Sequence, residues 1–406
     1  MFLLDKMLRK IVRTGDLTVV TADGRERRYG NLDPAREPVT IRFLDARAPD
    51  FIARHPRLGM GEAFMDGRVV VDRGDVVDLL DLIRSNVPWE RGGGIDGKRK
   101  IGKRLLGTVG RFNSLRASRR NVAHHYDLSD RLYDLFLDAD RQYSCAYFTD
   151  PAVPLERAQA DKKAHIAAKL ALAPGQRVLD IGCGWGGMAL YLNRTADVDV
   201  LGVTLSEEQL GVARRRAADA GVGDRVRFEL IDYRELDGRF DRIVSVGMFE
   251  HVGAPHYRRF FDKCRSLLTD DGVMLLHTIG RVGGPGATDA FTAKYIFPGG
   301  YNPALSEILG ASEAAGLVTT DVETLRLHYA LTLEHWYERT VAARAEIEAI
   351  YDARFYRLWT FYLAGAISAF RHGGLVNYQL AYAKSRDVPA IARAEIAQAE
   401  RHLRDR

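Results

Sequence analysis

The chain has 406 residues, 46% of them hydrophobic and 28% charged, with a formal net charge of +5. At ~150 residues per domain this length exceeds one ordinary core, and the composition excludes a wholly disordered chain. No apolar run reaches the ~18 residues of a spanning helix, since Phe361 to Phe370 is short and followed by Arg371. Cys145, Cys183 and Cys264 are an odd number without tight spacing, which argues against a disulfide framework and a structural zinc site.

Residues 2–13 predict an amphipathic helix, with Phe2, Leu3, Leu4, Met7, Leu8, Ile11 and Val12 on one face and Lys6, Arg9, Lys10 and Arg13 on the other. Such a helix either docks on its own domain or lies in a membrane interface. Asp5 inside the apolar stretch and the lack of a small-residue cleavage site make a poor signal peptide, so a cytoplasmic location is expected. From Leu17 to about Val87, short strand patterns and an Asp23-Gly24 turn predict a small α+β domain over residues 1–90. Gly92-Gly93-Gly94 opens a linker over 91–123, in which ten basic residues and one acid (Asp96) leave a local charge of +9. The rest of the chain then sums to −4, so the basicity lies in one stretch. That stretch is either a solvated linker or a patch for an anionic partner, phospholipid or nucleic acid.

Over residues 124–406 buried-strand runs alternate with helical patterns: "RVLDIG", "VDVLGVT", "VRFELID", "DRIVSV" and "GVMLLHT". This predicts an α/β fold with a doubly wound parallel sheet, and "VNYQLAYAKS" reads as a late or edge strand. "DIGCGWG", Asp180 to Gly186, follows the first of these strands and opens a helix, where glycines let the backbone approach a ligand. The second strand ends in Thr204-Leu205-Ser206, without the acidic residue that holds a dinucleotide ribose, and the loop lacks the Lys-Ser/Thr of a P-loop. A cofactor without a diphosphate is favoured, with Asp232 and Tyr233 placed to read and stack on an adenine. Glu250-His251 has no HExxH spacing or third ligand, so no metal is expected.

The segments "HYDLSDRLYDLFLDADRQYSCAYF", "VLDIGCGWGGMALYL", "GVTLSEEQLGVA", "VSVGMFEHVG", "LLHTIG" and "HYALTLEHWYER" together resemble the cyclopropane-fatty-acyl-phospholipid synthases and mycolic acid cyclopropane synthases. These are S-adenosylmethionine-dependent methyltransferases acting on lipid double bonds. The resemblance covers nearly the whole chain, because "GMGEAFMDG" is similar to that family's sterol-carrier-like lipid-binding domain. It implies a Rossmann-like methyltransferase sheet that binds S-adenosylmethionine. Gly182 and Gly184 would lie at the cofactor's amino-acid end, closed over by Tyr143 and Ser144 with Tyr126 nearby, and Asp180 would also contact the cofactor. Thr204, Leu205 and Gln209 would take the ribose, and Asp232 and Tyr233 the adenine. It further implies a bound bicarbonate held by Cys145, Glu250, His277, Ile279 and Tyr329.

An alkene is a feeble nucleophile, so the sulfonium drives methyl transfer, and a small, well-placed base then removes a proton to close the ring. The aromatics Tyr126, Tyr143, Tyr147, Phe148 and Phe249 are candidates to shelter the intermediate cation. Many members carry Cys and then Glu where "YLAGAISAFR" has Ala366 and Ile367, which bears on the acyl channel and on a methyl-branched or methylene product instead of a ring. The implied partners are an unsaturated phospholipid and the anionic inner face of a membrane, bound peripherally; the resemblance also allows a homodimer. A non-enzymatic lipid carrier and an RNA methyltransferase are the competing classes. The intact cofactor loop opposes the first, and the scarcity of stacking aromatics in the basic stretch, where Phe112 stands alone, opposes the second, so no nucleic acid partner is expected.

Overall fold

The computed structural model describes residues 1–34, 36–91, 129–388 and 393–404. Tyr126 and the basic stretch from Lys98 to Arg120 lie outside the described residues. In chain order come α1 (Phe2–Ile11), β1 (Leu17–Val20), β2 (Glu26–Tyr29), β3 (Val39–Phe43), α2 (Ala48–Arg54), α3 (Gly59–Met65), β4 (Val69–Arg73) and α4 (Val76–Ser85). Then come α5 (Asp130–Phe136), α6 (Leu155–Leu170), β5 (Arg177–Ile181), α7 (Gly187–Ala196), β6 (Asp199–Thr204), α8 (Glu207–Asp219), β7 (Val226–Leu230) and β8 (Phe240–Val246). After α9 (Tyr257–Leu267) and β9 (Leu268–Arg281) follow α10 (Ala290–Tyr295), α11 (Leu305–Ala314), β10 (Val318–Leu325) and α12 (His328–Ala342). The order closes with α13 (Arg344–Ile350), α14 (Ala353–Arg371), β11 (Leu375–Ala383) and α15 (Arg393–Arg404). No described helix is long and apolar enough to cross a membrane.

The chain divides into two compact units. The first comprises described residues 1–91, Thr288–Pro298 and Ala330–Gly374. Its sheet has the order β2-β1-β3-β4, with the β1–β2 hairpin turning at Asp23-Gly24, where Gly24 takes φ +82°. Helix α1 docks on its own unit: Leu4, Leu8 and Val12 join Leu17, Val19, Leu79 and Leu82 in one apolar core, while Phe2 and Leu3 stay exposed. Reciprocal hydrogen bonds between Asp75 and Asp78 cap α4.

The later segments of this unit differ from the expectation of a boundary near residue 90. Helix α14 packs on α3 and α4: Arg357 Nε donates to Met65 O at 2.8 Å, Ser368 Oγ donates to Leu80 O at 3.1 Å, and the Phe64 and Phe361 rings lie 5.7 Å apart. Such docking across nearly 300 residues of chain leaves no local signature. Ile367 is fully buried on α14, so the departure at Ala366-Ile367 falls in this unit.

The second unit holds a seven-stranded sheet of order β10-β11-β9-β8-β5-β6-β7, with β5 to β9 parallel and β10 and β11 antiparallel. One face packs on α9 and α11 through Phe260, Phe261 and Ile308. The other packs on α6, α7 and α8 through Ile166, Leu170, Met188, Leu192 and Ala213. Strand β11 is not at the edge. It lies between β9 and β10, almost wholly buried, and β10 is the edge strand. Its alternation reflects two buried environments: Tyr378, Leu380 and Tyr382 enter one apolar core, while Asn377 and Gln379 face a buried polar layer. The order reverses at β5, which lies between β6 and β8, so a crevice opens beyond the carboxyl ends of those strands.

Candidate active site

The loop after β5 is built for close approach of a ligand. Gly182 and Gly184 take φ +82° and +53°, conformations that L side chains avoid. A Cβ on Gly182 would stand 2.8 Å from Met248 Cβ, whereas one on Gly184 would meet no protein atom within 4 Å. Gly182 is thus dictated by the neighbouring chain, and Gly184 lies beside open space.

Asp180, on β5 just before this loop, is buried, and its Oδ2 has no hydrogen-bond partner among the described residues. Burial pushes its carboxyl up to about 7, and the charge of Lys162 opposes that rise. An unpartnered buried carboxylate oxygen next to a glycine loop is a ready acceptor for an ammonium group, which fits the amino-acid end of S-adenosylmethionine.

The segment expected to close over the cofactor is held from α6. Lys162 Nζ donates to Gln142 Oε1 at 2.7 Å and to Ser144 Oγ at 2.8 Å. Gln159 Nε2 donates to the carbonyls of Gln142 (3.1 Å) and Ser144 (3.0 Å). Tyr143 packs edge-on to Tyr133 at 5.2 Å. Lys162 is fully buried, and burial lowers its ammonium to about 7 while Asp138 pulls it upward. Neither Lys162 nor Gln159 was singled out from the sequence. Their signal is a polar stripe on α6 (Gln159, Lys162, His165, Lys169) at helical spacing, which ordinarily marks a solvated face.

At the end of β6 the expected ribose residues come together. Thr204 Oγ1 donates to Gln209 Oε1 at 3.1 Å and accepts from Ser206 N at 3.1 Å, while the Ser206 hydroxyl caps α8. Leu205 lies half-buried between them. Past β7, both oxygens of Asp232 are engaged by Arg234, through its backbone N (3.0 Å), Nε (2.8 Å) and Nη2 (2.6 Å). The carboxylate expected to read an adenine thus carries an ion pair with Arg234. Tyr233, edge-on to Phe260 at 5.4 Å, remains placed for stacking.

The candidate base site follows β8 and β9. Glu250 sits in a 3-10 turn (Phe249–His251), one strand from the glycine loop because β8 pairs with β5. Its Oε1 accepts from Ile279 N at 2.6 Å, and its buried Oε2 has no partner among the described residues. Burial raises this carboxyl to about 7 against the pull of its few hydrogen bonds.

Two expected ligands are otherwise engaged. The Ile279 N–H donates to Glu250 Oε1. His277 is buried with Nε2 3.0 Å from Asn377 Nδ2 and Nδ1 3.2 Å from Gln379 Nε2, and burial keeps the ring neutral. A neutral imidazole offers one lone pair and one N–H, so one amide must present its oxygen. Gln379 Oε1 is otherwise unpartnered, so turning that amide lets Nδ1–H donate to it and leaves Nε2 to accept from Asn377. His277 therefore reaches a bound anion only by releasing an amide of β11.

Cys145 is buried with Sγ 3.3 Å from Ala146 O. Tyr329 is buried at the start of α12, and its neighbour His328 accepts the Phe148 N–H at Nδ1 (3.0 Å), which ties the Cys145–Phe148 segment to the Tyr329 segment. Two aromatics do not serve as cation shelters. Phe249 is enclosed in the apolar core against Tyr257, Phe260 and Phe261, and the Tyr147 ring is stacked against two imidazoles.

A doubly wound sheet with this strand order, a glycine loop after β5 and an unpartnered Asp180 define an S-adenosylmethionine-dependent methyltransferase. The model of the family described as mycolic acid cyclopropane synthetase matches residues 113–380, and the chain belongs to that family. The cyclopropane-fatty-acyl-phospholipid synthase of Escherichia coli (strain K12) is 40% identical over 355 residues, covering 86% of this chain and 88% of that protein. The tuberculostearic acid methyltransferase UfaA1 of Mycobacterium tuberculosis (strain ATCC 25618 / H37Rv) is 34% identical over 401 residues, covering 92% of this chain and 89% of its own. Among solved structures, the mycolic acid cyclopropane synthase CmaA1 complexed with SAH and CTAB has a TM-score of 0.63 at 36% identity, covering 66% of this chain and 98% of that one. The chain is thus an S-adenosylmethionine-dependent C-methyltransferase of the cyclopropane-synthase type.

Proposed function

We propose that this enzyme adds a methylene group to the cis double bond of an unsaturated phospholipid acyl chain and forms a cyclopropane ring. The observation that carries the reading is Glu250, a buried carboxyl with one unpartnered oxygen, one strand from the loop that fits the cofactor. S-adenosylmethionine supplies the electrophilic methyl, and bicarbonate, when bound, supplies a small base that does not itself trap a cation. Asp180 faces the cofactor ammonium, Ser144 and Tyr143 close over it, and the Thr204–Gln209 pair takes the ribose hydroxyls. Glu250 Oε2 accepts a hydroxyl of the bound base, with Cys145 and Tyr329 as its further contacts.

The product decides between two readings. The 34% identical tuberculostearic acid methyltransferase, together with Ala366 and Ile367, favours a methyl-branched or methylene chain as the alternative. Incubating a cis-monounsaturated phospholipid with methyl-labelled S-adenosylmethionine and reading the product by NMR tests both. Upfield cyclopropyl protons are expected; a methyl or exomethylene signal in their place moves the enzyme to the branched-chain reading.

Peripheral binding to the inner face of the membrane belongs to the same reading, supported by the +9 charge over residues 91–120. Each basic residue near an anionic surface contributes about 1 kcal/mol, so replacing Lys98, Arg99, Lys100, Lys103 and Arg104 by Gln is expected to abolish sedimentation with anionic vesicles at low salt. Unchanged sedimentation returns that stretch to a linker.

A further inference from the structure

The buried polar layer under α6 holds a group that the chemistry above does not use. His165 places Nε2 2.6 Å from Glu323 Oε2 on β10 and Nδ1 2.9 Å from Glu400 Oε2 on α15. Both ring nitrogens meet carboxylates, which requires both to carry protons. The ring is also a platform: Tyr147 stacks on it at 4.1 Å between centroids and 10° between planes. Tyr147 stacks on His328 as well, at 5.1 Å and 17°, and the Arg404 guanidinium stands 5.7 Å from the Tyr147 centroid. Tyr147 is two residues from Cys145 and His328 is adjacent to Tyr329, so the stack joins the two segments that bring these candidate base-site residues.

We infer that His165, held between Glu323 and Glu400, is a positioning residue for the base site, its ring carrying Tyr147 against His328 and so fixing where Cys145 and Tyr329 stand. This rests on the assignment of those two residues under the proposed function. Burial alone would lower the His165 pKa, but its hydrogen bonds to Glu323 and Glu400 outweigh burial and raise it above the ordinary imidazole value. The other charged or titratable groups around it are Lys169 on α6, Asp321 on β10, Arg404 on α15, His277 on β9 and His328 at the start of α12. Lys169 and Arg404 bind the same carboxylates (Glu323 and Glu400, respectively), so the site holds the imidazolium without an unbalanced negative charge. A group whose pKa is raised on folding stabilises the structure fully below its unfolded value, and that contribution is lost as pH rises through the folded value. The clamp therefore loosens on the alkaline side of the ordinary imidazole range.

The test compares the full chain with Glu400→Gln, Tyr147→Leu and Tyr147→Phe, using S-adenosylmethionine and vesicles of cis-monounsaturated phospholipid. Tyr147→Leu is expected to cut kcat by roughly tenfold to a hundredfold with cofactor affinity unchanged, and the ring-preserving Tyr147→Phe to recover most of that loss. Wild-type kcat is expected to fall at alkaline pH, and in Glu400→Gln that fall is expected to move to lower pH, since one of the two carboxylates that raise the imidazole is gone. A merely structural role would weaken folding and cofactor binding together and leave the alkaline limb in place. If Tyr147→Leu loses cofactor binding, its fold is damaged and Glu400→Gln decides alone. An unmoved or absent alkaline limb, or wild-type kcat in a folded Tyr147→Leu, overturns the inference. Imidazole NMR of the same proteins reads the His165 charge without turnover. A wild type that binds cofactor with His165 charged but methylates no lipid overturns the functional reading instead.

Discussion

Glu250→Gln is expected to leave S-adenosylmethionine affinity within about twofold by calorimetry while turnover falls by roughly 10²- to 10⁴-fold, the range for losing a positioned acid–base group. The substitution keeps an amide oxygen for the Ile279 N–H, now at 2.6 Å from Glu250, but places an NH₂ donor where Oε2 is an unpartnered acceptor. The pH profile adds a second readout. Because the carboxyl is raised to about 7, the acceptor form grows in as pH rises through neutrality, and wild-type kcat should rise with it. The glutamine variant should lack that acid limb. The native state also holds this proton more tightly than the unfolded chain, so the residue's effect on stability becomes unfavourable as pH climbs from the ordinary carboxyl value toward 7, and Glu250→Gln should flatten that decline. A parallel loss of cofactor binding and turnover would contradict the placement of Glu250 at the base site.

Lys162→Met should act on the other half of the site. It removes the shared donor of Gln142 Oε1 and Ser144 Oγ and the cation that, among the described residues, acts on buried Asp180. Leaving buried hydrogen-bond partners unsatisfied costs about 1–3 kcal/mol, readable as a lower urea midpoint. Cofactor affinity should fall roughly tenfold to a hundredfold, because the strap at Tyr143 and Ser144 loses its anchor. Its pH dependence should change too: without the ammonium, Asp180 rises further above about 7, so the pH at which binding reaches half its maximum shifts upward. Wild-type affinity with an unshifted profile would show that Lys162 only fills space.

The parts of the site that are legible in the sequence are those made by a strand, a turn and the helix that follows. The glycine loop at 182–186 and the Thr204–Gln209 pair need only local spacing, and both appear where a βα unit puts them. Glu250, which the family resemblance implied, stands likewise just past the end of β8. What could not be read depends on register between distant strands. His277 meets Asn377 across 100 residues of chain, and Gln379 meets it because β11 lies against β9 in one register and not another. The polar stripe of α6 misleads for the opposite reason: its periodicity is clear, but nothing local says that Glu323, Glu400 and His277 will cover it. Asp232 pairs with Arg234 two residues away, a local ion pair that the spacing did not announce.

The insertion of β11 between β9 and β10 bears on how the chain is made. A nascent chain that has emerged through Arg281 can pair β5 to β9, so the cofactor half of the sheet forms early. The flank of β9 then stays an open strand edge until Leu375–Ala383 arrives, and β10 has nothing to pair with before that. Meanwhile Thr288–Pro298 and Ala330–Gly374 leave for the other unit, so the first unit is not finished until Gly374 has emerged, nor the second until Leu375–Ala383 has. Late closure of an exposed β edge is slow and prone to wrong pairing. Shortening the chain ahead of Leu375 should therefore yield aggregates even though every strand of the cofactor loop's own neighbourhood is present.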